Sequence, residues 1–299
     1  MTTFRACALV MMLSTAFASA APTDDVYKLG PDSMPQPGVP QGKVVGPLTL
    51  ASTSVYPNTT RHYWVYVPAQ YDAAKPACLM VFQDGHAFVN PQGDYRIPAV
   101  FDNLIYRREM PVTLAVFINP GRGPEGKEAT SREWGDGTNN RRVEYNALDD
   151  KYSKLIIDEL LPELRKTYNI SDNPDDRGIS GASSGAICAF TVCWENPDAF
   201  RKCFSTIGSY TNIRGGDKYP DMILRAAKKP LRIYLQDGKN DLNNQFGSWT
   251  EANKAMAAAF EKKGYDYQFV LGEGTHSARH GTALFPEAMR WMWRDYPKN

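Results

Sequence analysis

Short apolar runs alternate along this chain with amphipathic stretches, and this alternation constrains the fold more than any other feature. The central runs are apolar at consecutive positions, which is typical of parallel strands covered on both faces. Strands are expected at residues 60–68, 77–85, 112–119, 177–181, 203–209, 231–238 and 266–274. Helices are expected between them, at residues 97–108, 149–168, 184–195, 219–228, 249–263 and 283–294. The order predicts an α/β protein with a mostly parallel twisted sheet and helices on both faces.

The composition is that of one large globular domain. The chain has 299 residues, 42% of them hydrophobic, which is enough to bury a sizeable core. The formal net charge is +1, which argues against nucleic acid or an anionic membrane as a partner. We expect residues 47–299 to form a single domain. Residues 21–46, which are rich in proline and glycine, are expected to form an extended N-terminal arm.

The first twenty residues have the features of a secretory signal peptide. They combine Arg5, a short apolar run and the small residues Ala18-Ser19-Ala20, which predict cleavage after Ala20. The apolar run is too short to span a bilayer as a stable helix. We therefore expect a secreted or periplasmic protein that is not bound to a membrane.

Four cysteines remain after such a cleavage, and none of their spacings suggests zinc. Each lies within an apolar segment: Cys78, Cys188, Cys193 and Cys203. We expect buried free thiols, with Cys193–Cys203 as the pair to bridge if an oxidising compartment allows one disulfide.

Polar, glycine-rich loops follow four of the expected strands. They lie at residues 83–86, 180–183, 236–241 and 272–276. Because the carboxyl ends of parallel strands meet at the same edge of a sheet, we expect a functional site there.

The loop Gly181-Ala182-Ser183-Ser184-Gly185 satisfies G-x-S-x-G between an expected strand and an expected helix. This pattern places a serine on a sharp turn, where the residues two before and two after approach so closely that only glycine fits. Centring the motif on Ser180 or on Ser184 puts alanine at one or both glycine positions. Ser183 is therefore the predicted nucleophile.

A serine hydroxyl needs an adjacent base, and an acid that orients the base. His276 follows the last expected strand, where the order serine, acid, histidine places the base, and His280 is expected at the surface or rim. The acid should follow strand 231–238, which leaves Asp237, Asp241 and Glu251. We prefer Asp241, because it lies on the loop beyond the strand, whereas Asp237 can act as a turn former.

Two backbone donors should form an oxyanion hole. We expect the N–H of Ser184, at a helix start, and the N–H of His86, with Gly85 next. Gly85, Trp134 and Trp249 are the predicted substrate contacts, although large aromatic residues also serve as core packing.

No cofactor and no metal are expected. The spacing His276-x-x-x-His280 places both rings on one face of a helix, which leaves metal-dependent hydrolysis as an alternative. The preceding Gly-Glu-Gly and the lack of an intervening glutamate argue against it.

With Ser183, Asp241 and His276 in place, the chain resembles the putative-esterase group of the α/β-hydrolase superfamily. This group includes enterochelin esterases and the feruloyl and acetylxylan esterases of carbohydrate esterase family one. The resemblance covers residues 60–295. It rests on FQDG (82–85), RRVEY (141–145), DELLPELRKTYNI (158–170), GISGASSGA (178–186), IYLQDGKNDLNN (233–244), GTHSARHG (274–281) and FPEAMRWMWRDYP (285–297).

The resemblance implies a serine carboxylesterase with an α/β-hydrolase fold in a single domain. It identifies Arg141 and Glu144 as the Arg-x-x-Glu pair of the family, which holds the loop beneath the site. The implied substrates are feruloyl or acetyl esters on plant polysaccharide, with a siderophore lactone or another small ester as the alternative. The chain departs from the siderophore enzymes in two respects: only a short segment precedes its first core strand, and the segment after His276 is not rich in tryptophan.

Overall fold

The computed structural model describes residues 22–129 and 139–296, and its strands and helices alternate as expected. The strands are β1 (Lys43–Ser52), β2 (Thr59–Val67), β3 (Cys78–Gln83), β4 (Thr113–Ile118), β5 (Arg177–Ala182), β6 (Lys202–Thr206), β7 (Arg232–Gly238), β8 (Asn243–Asn244), β9 (Gly247–Ser248) and β10 (Asp266–Gly272). The helices are α1 (Gly85–Phe88), α2 (Ile97–Tyr106), α3 (Arg141–Tyr145), α4 (Lys151–Lys154), α5 (Leu161–Arg165), α6 (Ser184–Glu195), α7 (Tyr219–Arg225), α8 (Trp249–Lys263) and α9 (Arg279–Met292). A π-helical segment, Leu155–Leu160, joins α4 to α5.

Within the described residues, eight strands form one sheet in the order β1-β2-β4-β3-β5-β6-β7-β10. Strand β2 runs antiparallel to β1 and to β4, and the other neighbours are parallel. Strands β8 and β9 form a separate hairpin. The mostly parallel sheet with helices on its faces is the architecture that the alternation predicts.

Two hydrophobic clusters cover the two faces of this sheet. Leu79 and Val81 of β3 pack in one cluster, and Met80 and Phe82 pack in the other. Every residue of β3 to β6 is buried. Since neighbouring side chains of a strand point to opposite faces, a strand covered on both sides needs apolar residues at consecutive positions. This explains the continuous apolar runs.

Strand β1 is the longest of the elements that the sequence does not predict; the others are the short elements α1, α3, β8 and β9. Strand β1 contains Gly46-Pro47 at a register irregularity and is largely exposed, and proline is tolerated in a sheet at such an edge position. It takes in residues 43–46 of the segment expected to be an arm. Residues 22–42 of that segment lie on the protein surface but bury the side chains of Asp24 and Ser33.

The expected signal peptide and Trp134 lie outside the described residues. In the part of the chain that the structure describes, no helix has both the length and the apolar character needed to cross a membrane. The four cysteines there are buried free thiols, as expected. Cys193 lies beside Cys203 without a disulfide between them, and burial raises the pKa of the Cys193 thiol well above its usual range.

Candidate active site

Ser183 lies on the sharp turn between β5 and α6. Its backbone has φ 58° and ψ −120°, a conformation that side-chain-bearing residues seldom adopt and that marks a strained position. A Cβ atom at Gly181 would overlap the carbonyl oxygen of Gly185, which is the close approach that the motif predicts. The turn brings the Ser183 side chain to the carboxyl edge of the sheet, whereas Ser180 stays fully buried within β5.

The structure joins the three predicted side chains into a hydrogen-bonded series. His276 Nε2 lies 2.9 Å from Ser183 Oγ, and His276 Nδ1 lies 2.6 Å from Asp241 Oδ1. These residues come from the loops after β5, β10 and β7, which meet at one edge of the sheet. A nucleophile, a base and an orienting acid at hydrogen-bond distances can transfer a proton from the serine hydroxyl.

The Asp241 carboxylate determines which nitrogen of His276 carries the proton. Burial alone would raise the pKa of Asp241. Hydrogen bonds, the strongest of them from His276, instead hold that pKa below its usual range. The Leu242 N–H donates to the same oxygen at 2.5 Å. Because an ionised carboxylate only accepts hydrogen bonds, Nδ1 must donate, and Nε2 of the neutral ring is the acceptor.

Asp237 and Glu251, the two alternative candidates for the acid, have other surroundings. Asp237 is fully buried beside Asp241. Among the described residues, no donor of good hydrogen-bond geometry meets either oxygen of Asp237 or the Oδ2 atom of Asp241. Burial raises the pKa of Asp237 well above its usual range, and the neighbouring Asp241 raises it further. A protonated Asp237 can therefore donate to Asp241 Oδ2. Glu251 is exposed on α8, where it pairs with Lys254 at 2.8 Å.

The two expected oxyanion donors have different surroundings. Ser184 is the first residue of α6, and an N–H at this position lacks an acceptor within its own helix. The His86 N–H, in contrast, donates to Asn119 Oδ1 at 2.9 Å. Asn119 directly follows β4. Because α1 packs closely against that strand, the Asn119 side chain lies within hydrogen-bond distance of the His86 N–H. This corrects the expectation that the His86 N–H is directed at an oxyanion.

Gly85 is buried and packs against β4. A Cβ atom there would overlap the backbone of Phe117 and Ile118. Its predicted role as a substrate contact is therefore replaced by a packing role, since only glycine lets α1 approach the strand so closely.

Trp249 is buried behind Ser183 and His276 and does not form a substrate wall. It is 3% exposed, and its ring meets that of His276 edge to face at 5.8 Å. Its Nε1 donates to Ser209 Oγ at 3.1 Å, and Ser209 Oγ lies 3.1 Å from Ser183 Oγ. The sequence interpretation missed Ser209, although this serine ends the expected strand 203–209, at the same sheet edge as the other loops.

His280 is buried, contrary to the expected position at the surface or rim. Its ring stacks on Tyr27 at 4.1 Å, and its Nδ1 lies 3.0 Å from Gln236 Nε2. The rings of His276 and His280 thus have separate partners. Among the described residues, no group of three or more His, Cys, Asp or Glu side chains is arranged to hold a metal ion.

The N-terminal arm packs on the loop that carries His276. Asp24 is fully buried and accepts hydrogen bonds from the N–H and the hydroxyl of Thr275, at 2.9 and 2.5 Å. The Tyr27 hydroxyl accepts from the Glu273 N–H at 2.7 Å. The composition of the arm carried no sign of this contact, because it joins residues about 250 positions apart in sequence.

Arg141 and Glu144 hold the loops after β3 and β4, in agreement with the structural role that the resemblance implies. Arg141 binds both oxygens of Asp84, at 2.7 and 2.8 Å. Glu144 accepts from Arg61 at 2.7 Å and from the Gly121 N–H at 3.0 Å. These charges are buried, so each depends on its partner for compensation.

Comparisons with known proteins identify the family of this chain. The model of the family described as "Putative esterase" matches residues 54–292. The chain is 22% identical to the uncharacterized protein YbbA of Bacillus subtilis, over 81% of this chain and 96% of that protein. It is 25% identical to the uncharacterized protein YjcH of the same organism, over 76% and 89% of the two chains.

Solved structures of esterases share the fold. An enterobactin esterase of Shigella flexneri superposes with a TM-score of 0.65 at 20% identity, covering 87% of this chain. The present chain spans 61% of that longer chain. A CE1 ferulic acid esterase of Anaeromyces mucronatus, in complex with ferulic acid, superposes with a TM-score of 0.62 at 15% identity, over 93% and 97% of the two chains. These likenesses confirm the predicted α/β-hydrolase fold.

Proposed function

The chain belongs to the family described as "Putative esterase" and is a hydrolase that acts on esters; from this premise we propose that it is an exported serine carboxylesterase. The observation that carries the proposal is the hydrogen-bonded series of Ser183, His276 and Asp241. The proposed substrates are feruloyl or acetyl esters on plant polysaccharide. Similarity to a ferulic acid esterase over nearly the full length of both chains supports this class.

The proposed reaction begins when His276 Nε2 takes the hydroxyl proton of Ser183 and Ser183 Oγ attacks the ester carbonyl carbon. The N–H of Ser184 and the dipole of α6 stabilise the resulting oxyanion. As the tetrahedral intermediate collapses, the imidazolium gives its proton to the leaving alkoxide, and the alcohol departs. Asp241 stays ionised throughout, holding the ring and stabilising the imidazolium.

The acyl-enzyme that remains is then hydrolysed. His276 deprotonates a water molecule, which attacks the acyl carbonyl carbon. Collapse of the second tetrahedral intermediate breaks the bond to Ser183 Oγ, which recovers its proton from the imidazolium. The carboxylic acid is released and the resting enzyme is restored, with no cofactor needed for any step.

The first experiment tests the nucleophile with p-nitrophenyl acetate and p-nitrophenyl butyrate. Ser183→Ala should lower kcat/KM by a factor on the order of a thousand or more, because no other group takes over covalent catalysis. Ser180→Ala is the matched control, because Ser180 is fully buried in the same glycine-rich stretch and its hydroxyl has no partner among the described residues. Equal turnover by wild type and Ser183→Ala would refute the serine mechanism.

A second experiment tests the substrate class. Because the fold is similar to that of an enterobactin esterase, a siderophore lactone is the second candidate substrate. The kcat/KM values for methyl ferulate, acetylated xylan and a catecholate trilactone should be compared on the same preparation. We expect preference for one of the first two, and a preference for the trilactone would replace the polysaccharide assignment with the siderophore one.

The proposed export rests on the signal-peptide pattern of residues 1–20. Protein recovered from outside the cytoplasm should begin at Ala21, as read by N-terminal sequencing. A cytoplasmic protein that retains residues 1–20 would refute this part of the proposal.

A further inference from the structure

We propose that Ser209 is a positioning residue for the nucleophile: its hydroxyl donates a hydrogen bond to Ser183 Oγ, and Trp249 sets the direction of that bond. The inference rests on the proposed function, because it requires Ser183 to be the nucleophile. Two hydroxyl contacts of Ser209 carry it. Ser209 Oγ lies 3.1 Å from Ser183 Oγ and 3.1 Å from Trp249 Nε1.

The direction of donation along these hydrogen bonds follows first from Asp241, at one end of them. The ionised Asp241 accepts from His276 Nδ1, so Nε2 of the neutral ring accepts in turn. The hydroxyl proton of Ser183 therefore points to Nε2, at 2.9 Å. This leaves the lone pairs of Ser183 Oγ to accept a hydrogen bond from another donor.

The other end of the series begins at an obligatory donor. An indole N–H donates and never accepts, so Ser209 Oγ is the acceptor for Trp249. The hydroxyl proton of Ser209 must then point elsewhere. The other hydrogen-bond partner of that hydroxyl is Ser183 Oγ. Reasoning from either end therefore gives the same direction of donation: Trp249 donates to Ser209, Ser209 to Ser183, and Ser183 to His276.

The surrounding main chain holds this arrangement in place. Ser209 and Trp249 are 1% and 3% exposed, so water does not compete for their hydrogen bonds. The Ser209 N–H donates to the Ser183 carbonyl oxygen at 3.2 Å. The Asn253 side chain donates to the carbonyl oxygens of Gly208 and Trp249, at 2.9 and 3.0 Å. These contacts tie the two ends of the Trp249–Ser209 bond to one another and to the turn of the nucleophile.

This bond gives Ser209 a role in the chemical step. With one hydrogen bond donated to His276 and one accepted from Ser209, Ser183 Oγ is held in the position that faces the imidazole. The bond from Ser209 also stabilises the negative charge that develops on Oγ as its proton passes to His276. Ser209 touches no substrate atom in this account and acts through Ser183.

The test measures the rate at which Ser183 is captured by a fluorophosphonate, together with kcat/KM for p-nitrophenyl butyrate. Ser209→Ala should slow both by about three- to tenfold, the loss expected for one neutral hydrogen bond. Inhibition by a carboxylic acid product should be unchanged, because substrate binding does not involve Ser209.

Ser205→Ala is the matched control. Ser205 lies in β6 and is fully buried, and its hydroxyl is hydrogen-bonded to that of Tyr210 at 2.9 Å. It should lose a hydrogen bond of similar length without slowing capture. If Ser209→Ala does not fold, Ser209→Cys keeps the side-chain shape with a weaker donor and should slow capture in the same direction.

A double-mutant cycle tests the part assigned to Trp249. Trp249→Phe alone should slow capture, and it should have no further effect in the Ser209→Ala background, because the indole N–H acts through Ser209. Additive losses would overturn the proposed direction of the series. An unchanged capture rate in Ser209→Ala, with wild-type Ser183 still labelled, would overturn this inference alone. Failure to label wild-type Ser183 would overturn the proposed function as well.

Discussion

Replacing Asp237 by asparagine should stabilise the protein at neutral pH and leave its esterase activity largely intact. In the folded chain, burial first and the neighbouring Asp241 second raise the pKa of the Asp237 carboxyl well above its usual range. Asparagine has nearly the same shape and donates an N–H in place of the carboxylic O–H, without titrating. The hydrogen bond to Asp241 Oδ2, and with it the orientation of His276, should therefore be preserved.

The expected gain in stability depends on pH in a defined direction. In the unfolded chain an aspartate ionises at about pH 3.9. Between that pH and the raised native pKa, the folded protein binds one proton that the unfolded protein has lost, so the free energy of unfolding falls as pH rises. The slope for one proton is about 1.36 kcal/mol per pH unit. In wild type, the stabilising contribution of Asp237 is complete below the pKa of the unfolded chain and disappears as pH rises through the native pKa, which is why the variant gains on wild type.

Urea unfolding of wild type and Asp237→Asn from about pH 5 to about pH 8 measures this slope. Every other ionisable group is common to the two proteins, so the difference between the two curves isolates Asp237. The difference should favour the variant increasingly as pH rises, while kcat/KM stays within about threefold. Asp198→Asn, at a fully exposed side chain, is the control and should show no such trend. A difference that is flat with pH would refute protonation of Asp237 in the folded state.

Two further predictions concern the turn and the arm. Gly181→Ala should abolish most activity and cost about 1–3 kcal/mol of stability, because its Cβ would overlap the Gly185 carbonyl oxygen; an esterase assay and thermal denaturation check this, and an unaffected variant would contradict the tight turn. Asp24→Asn should cost about 1.5–3 kcal/mol and lower kcat, because it removes a charge-assisted hydrogen bond to Thr275, next to the base. Asp25→Asn, which loses an exposed ion pair, should cost under about 1 kcal/mol, and equal losses in the two variants would contradict a special role for the arm.

Features that depend on neighbouring residues could be predicted from the sequence. The G-x-S-x-G turn needs five consecutive residues, and the strained φ of Ser183 and the close approach of Gly181 to Gly185 follow from them. Strand β1 could not be predicted in this way, since Gly46-Pro47 interrupts its pattern and most of its side chains face solvent. An edge strand of this kind is specified by pairing with β2 and not by its own periodicity.

The identity of each hydrogen-bond partner was decided by tertiary structure. The sequence marked Asp237 and Asp241 as the main candidate acids, and the preference for the loop position agrees with the contact to His276. It carried no information that Asp237 would be buried beside Asp241, which raises the pKa of Asp237. The expectation for the His86 N–H failed for a related reason, because an acceptor on a neighbouring strand, Asn119, meets that donor.

By itself, the sequence determined the α/β architecture, the sharp turn at Ser183 and the order of Ser183, Asp241 and His276 along the strand ends. Apolar periodicity and turn sterics are properties of consecutive residues, so they can be read without coordinates. Only the tertiary structure decided that Trp249 meets Ser209, 40 residues away, and that Asp24 meets Thr275, 251 residues away. A hydrogen bond forms only when donor and acceptor come within about 3 Å in a favourable direction, and the packing of the whole chain sets that distance.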